Sequence, residues 1–130
     1  MCPDDLKYHR EHMWVRVSGK KAVIGITHYG QMSLGNVLYI DLPDVETDVE
    51  ANAEFAEIES ARTSMVVTSP VSGTVIEVNE ELAETPEMIN DDPYGEGWIA
   101  VIKLKNSAEL NRLMEAFEYE RYLEKEVKLI

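Results

Sequence analysis

Three histidines, one cysteine and one isolated arginine are the residues whose types and spacing could do chemistry in this chain. His9 and His12 are three apart, close enough to share a metal ion, and His28 follows. Zinc sites are built from clustered His and Cys, or from His-Glu-x-x-His on a helix. Here Cys2 is the sole cysteine and no such helix pattern exists, so the histidines read as surface or loop residues and no metal site is expected. No GxSxG, P-loop or GxGxxG is present. The glycines of "YGEGW", Gly95 and Gly97, lead into a strand-like run and so do not form a phosphate cradle at a helix start. The expectation is no catalytic residue, and a carrier, binding or scaffold protein.

Arg62 is the singular feature. In "EIESARTSMVVTSPVSG" (57–73) two strand-like runs flank a small polar turn, and Arg62 is the only lysine or arginine between Lys21 and Lys103. The tip of this hairpin is Glu59, Ser60, Ala61, Arg62, Thr63 and Ser64. The tight hairpin would hold residue 62 away from the body, and small neighbours would keep the tip accessible.

The elements that must carry this tip are short strands. "WVRV", a turn at "SGKK" and "AVIGI" predict a hairpin. "THYGQMSLG" predicts a short helical turn ended by Gly35, and "NVLYIDLP" a strand ended at Pro43. "GTVIEVN" and "WIAVIKLK" follow, the latter with Ala100, Ile102 and Leu104 on one face. "EELAETPEMIN" predicts a helical turn broken at Pro86, and "DDPYGEGW" a tight loop. From Asn106 the pattern changes. Asn106 and Glu109 resemble a capping box, and Leu110, Leu113, Met114 and Phe117 fall at helical spacing. A second helix from Glu118 would place Tyr119, Tyr122, Leu123 and Val127 on one face. The segments beginning "GNVLYIDLP" and "SGTVIEVN" echo each other faintly, as two halves of a sandwich would. Close-spaced short strands imply a sandwich or barrel.

Composition agrees with one soluble domain over 1–130, its core at about 8–105 and a helical segment at about 106–128. The 130 residues are 45% hydrophobic and 28% charged. A formal net charge of −13 opposes nucleic-acid phosphates and anionic membranes, and favours a monomer. Cys2 can form no internal disulfide, which fits a reducing cytoplasm, and reads as an incidental residue near a loose terminus.

The blocks "WVRV…AVIGITHYGQMSLGNVLYIDLP", "FAEIES", "SPVSGTVIEVNEEL" and "NDDPYGEGWIAVIKL" resemble the glycine cleavage system H protein, in order and over nearly the whole chain. The resemblance implies a mostly β, lipoyl/biotinyl-type barrel sandwich of two antiparallel sheets with C-terminal helices. It implies that a tip lysine carries lipoate, and that the loaded arm serves the P, T and L proteins of glycine catabolism. The lysine position of the family's ES-x-K pattern falls on Arg62. A guanidinium stays protonated and cannot serve as the acyl acceptor. Two carboxylates that hold the family's charged arm fall on Met13 and Val66.

The expectation is therefore a paralogue without covalent lipoate, acting as a binding, scaffold or regulatory partner of P, T or L proteins or of lipoate-transfer enzymes. Two alternatives stay open in the sequence: a genuine aminomethyl shuttle with its lysine replaced, and an interaction protein outside one-carbon metabolism. Arg62 itself is either a retained recognition cation or simply a charge suited to an exposed tip.

Overall fold

A computed structural model describes residues 2–126. Two antiparallel sheets face each other. The larger has the order β1 (Lys7–His9), β2 (Met13–Ser18), β3 (Lys21–Ile26), β9 (Ala100–Leu104), β8 (Gly73–Val78) and β5 (Asp48–Val49). The smaller comprises β4 (Val37–Asp41), β6 (Glu54–Ser60) and β7 (Ser64–Thr68), in that order. The pair forms a sandwich and does not close into a barrel.

Alternation explains the layering, because successive strand side chains point to opposite faces. Ala22, Ile24 and Ile26 of β3, and Ala100, Ile102 and Leu104 of β9, enter one core with Ile40, Ile58 and Val67 of the opposite sheet. Gly19, at φ 63°, closes the β2–β3 hairpin in a left-handed turn that suits glycine. Gly25 is required for a different reason. A Cβ there would lie 2.4 Å from the Trp14 indole, so the ring packs directly against the backbone of β3.

The faint echo in the sequence has a structural counterpart. β4 pairs with β6, and β8 with β9, both antiparallel. Register shifts between Val37 and Tyr39 in the first pair, and between Val75 and Glu77 in the second. Gly35 and Gly73 stand two residues before these irregularities. The two halves thus bend at matching places.

Three short helical pieces follow the expected positions: α1 (His28–Leu34), a 3₁₀ turn at Glu80–Ala83 and α2 (Met88–Asp91), with Pro86 between the last two. The C-terminal segment differs from expectation. Asn106 does cap a 3₁₀ helix (Ser107–Arg112), its side chain accepting from the Ala108 N–H. Glu109 does not return to complete a capping box. Its carboxylate accepts from the Ser72 N–H and hydroxyl instead, both at 2.8 Å. The apolar stripe is also split. Met114 leaves the helix and exchanges backbone hydrogen bonds with Tyr8, while Phe117 is 66% exposed. The final helix, α3 (Ala116–Glu126), starts two residues before Glu118 and buries Tyr119 and Leu123 against Tyr8 and Trp14. Val127 lies outside the described residues. Cys2 is not on a loose end. It packs half-buried against this aromatic cluster, and the Tyr8 hydroxyl donates to the Pro3 carbonyl.

Candidate functional site

The Arg62 hairpin joins β6 to β7, with Glu59 opposite Ser64. A single hydroxyl organises its turn. Ser60 Oγ accepts from the N–H groups of Arg62 and Thr63 and lies 2.6 Å from the Leu34 carbonyl, to which it donates. The Ala61 N–H donates to the Asn36 carbonyl at 2.9 Å. The tip is therefore tied to the α1–β4 junction and does not stand free.

Arg62 completes that tie. Residue 62 is exposed, and its guanidinium folds back onto the end of α1. One nitrogen, Nη2, donates to the Met32 carbonyl at 2.9 Å and the Ser33 carbonyl at 2.6 Å. A helix leaves its last carbonyls without intrahelical partners, and these carry partial negative charge. α1 has no basic residue in its own last turn. The four final carbonyls of α1 are all satisfied, the first by the helical i+4 repeat and the last three by the hairpin. Gln31 accepts from the Gly35 N–H, Met32 and Ser33 from Arg62, and Leu34 from Ser60. Gly35, at φ 84°, turns the chain away, and a Cβ there would touch Arg62 Nε at 3.4 Å. The expectation that the tip holds residue 62 away from the body is thus corrected: backbone carbonyls, invisible in a side-chain pattern, draw the cation back.

Beside the hairpin lies a cleft of about 420 Å³. Thr63, Met65 and Val66 form one wall, and Gly30, Ser33 and Leu34 of α1 another. Val66 faces it and is 40% exposed. Met13 does not line it. Its side chain is 0% exposed and belongs to the sandwich core. The two positions paired in the sequence are therefore in different surroundings. The cleft does not lack carboxylates, because Glu11 and Glu54 line it. Sequence reasoning passed over both. Glu54 is visible only through its pairing with Thr68 across β6 and β7.

His9 corrects a second expectation. His9 is buried, not a surface residue. Its Nδ1 accepts from the Glu11 N–H, and its Nε2 lies 2.7 Å from Asn52 Oδ1. His12 is half-buried at φ 78° and packs on Tyr29. Its Nδ1 lies 2.8 Å from the Tyr119 hydroxyl, which lies 2.8 Å from Thr27 Oγ1. That oxygen caps α1 by accepting from the Gly30 N–H. Burial pushes the His12 pKa down and the Tyr119 pKa up. His28 is exposed, as expected. Among the described residues, no group of three or more His, Cys, Asp or Glu could hold a metal ion.

The chain matches a model of the family "Glycine cleavage H-protein" over residues 6–126. It belongs to the glycine cleavage H-protein family. It is 45% identical over 126 residues to the glycine cleavage system H protein of Carboxydothermus hydrogenoformans, covering 97% of each chain. It is 42% identical over 118 residues to that of Bacillus subtilis, covering 91% of this chain and 93% of the relative. The crystal structure of the H protein from Mycobacterium marinum superposes with a TM-score of 0.86 at 28% identity, covering 98% of this chain and 100% of the other. As a member of that family the chain is a carrier-type or binding protein and not an enzyme. Among the described residues, no helix is long and apolar enough to cross a membrane.

Proposed function

We propose that this H-family protein carries no covalent lipoate and acts as a binding, scaffold or regulatory partner of lipoate-dependent machinery. Arg62 stands where the family pattern has its lipoyl lysine. Forming the lipoyl amide needs a primary amine that can lose a proton, and a guanidinium does not provide one. The observation that carries the proposal is the pair of hydrogen bonds from Arg62 to Met32 and Ser33, which give the cation a structural task on α1. No lysine lies between Lys21 and Lys103 to take over the attachment. The residues of the tip therefore do not fit covalent lipoate. Its partners are P, T or L proteins, or lipoate-transfer enzymes that recognise the hairpin. It works in the cytoplasm as a single-domain monomer.

Co-expression with a lipoate ligase and excess lipoate, followed by intact-mass measurement, tests this. The expected product is the unmodified chain, while the Arg62→Lys variant gains one lipoyl group. A lipoyl adduct on the unaltered protein, at any residue, overturns the proposal.

A further inference from the structure

A second, larger cavity of about 780 Å³ has no part in the site above, although Glu11 lines both. It lies between the β1–β2 turn, the turn before β6 and the 3₁₀ segment, and both Arg10 and Arg112 line it. The chain has 25 acidic residues against 12 lysines and arginines, so arginines have many carboxylates available as partners. Among the described residues, the one ion pair is Lys7–Glu115, and it involves neither arginine. Glu109 also lines the cavity, but both of its carboxylate oxygens are held by Ser72.

A third donor follows from a chain of hydrogen bonds. His9 Nδ1 accepts from the Glu11 N–H at 3.0 Å, so the ring hydrogen sits on Nε2 and is donated to Asn52 Oδ1. That fixes the Asn52 carboxamide with its oxygen occupied, and its NH₂ has no partner among the described residues. Asn52 lines the same cavity and is held at φ 73°.

We propose that this cavity binds a small metabolite through an oxyanion group, phosphate or carboxylate, held by Arg10 and Arg112 with the Asn52 NH₂ as a third donor. Guanidinium groups match the oxygen spacing of both anions, and charge-assisted hydrogen bonds are the strong ones. The volume suits a small molecule. Glu11 is the one acidic side chain of the cavity not engaged by Ser72, and it opposes the anion. The net charge of −13 repels anions at long range, so any saturable binding reports a local site.

The test is titration calorimetry of the full chain with inorganic phosphate and, separately, with succinate, at low ionic strength and neutral pH. Amide NMR shifts would locate the site. At least one probe should bind saturably and shift the His9, Arg10 and Asn52 amides. Arg10→Gln and Arg112→Gln should each weaken binding about tenfold. Asn52→Gly, which keeps the left-handed backbone but removes the carboxamide, should weaken it severalfold. Glu11→Gln should strengthen it, an effect that misfolding would not produce. Lys21→Gln, which removes a charge outside both cavities, should leave affinity unchanged. Binding of phosphate alone or succinate alone would identify the natural group. Absence of binding by both probes, or binding indifferent to both cavity arginines, overturns the proposal.

Discussion

Removing the Arg62 side chain tests whether the hairpin cation is a cap for α1. Arg62→Ala deletes the two hydrogen bonds to the Met32 and Ser33 carbonyls and the positive charge at the helix end. A cation at a helix C-terminus contributes about 0.3–1 kcal/mol when exposed. The hydrogen bonds are solvent-accessible, and water can replace the lost donor, so their loss adds little more than about 0.5 kcal/mol. The expected cost is about 1 kcal/mol. For a domain of this size that lowers Tm by about 3–5 °C. Circular dichroism melts and urea titrations would measure it, and hydrogen exchange would localise it to the amides of α1 and of the hairpin turn. Arg62→Lys should fall between the two, since an ammonium restores the charge without the planar donor set. Salt adds a second check: the charge-dependent part should shrink in 1 M NaCl, where screening acts over about 3 Å. An Arg62→Ala protein whose Tm and α1 exchange rates match the parent would refute the capping role and leave the missing amine as the ground for an unlipoylated tip.

Three further perturbations follow from the packing. Gly25→Ala would drive a Cβ to 2.4 Å from the Trp14 indole and should cost about 1–3 kcal/mol, measurable as a reduced urea midpoint. Burial lowers the His12 pKa below the 6.5 of a free histidine. The unfolded chain therefore takes up the proton first, so stability should be level above about pH 6.5 and fall as pH drops toward the lowered native value; pH-dependent urea melts, with NMR titration of the His12 ring, would read the window. Val66→Asp, on the open cleft wall, should change stability by about 0.5 kcal/mol or less, whereas Met13→Glu would place a carboxyl in the core and should cost about 3 kcal/mol or more in denaturant titrations.

The strands were legible because their information is local. Alternation in "WVRV", "AVIGI" and "WIAVIKLK", with glycine and proline at the breaks, is enough to place β2, β3 and β9. The C-terminal segment was less legible because its competing partners are remote. Glu109 is drawn from its own cap by Ser72, and Met114 from its helix by Tyr8, and neither partner is near in sequence. His9 was misjudged for the same reason: its partner Asn52, 43 residues away in the chain, holds it in a buried strand position. Arg62 was located correctly on its hairpin, but its partners are main-chain carbonyls, which no residue pattern displays.

The position of the lone cation has a physical logic that does not depend on ancestry. α1 supplies no basic residue to its own last turn, and nothing else between Lys21 and Lys103 carries a permanent positive charge. The hairpin tip, already tied to Leu34 and Asn36 through Ser60 and Ala61, is within reach of the helix end. An arginine there neutralises two carbonyls with one nitrogen while lying over Gly35, where any larger residue would meet it. A lysine bearing an acyl group on its amine would have no charge to offer α1. Capping by residue 62 and acylation of residue 62 are thus mutually exclusive uses of one side chain, and an arginine can perform only the first.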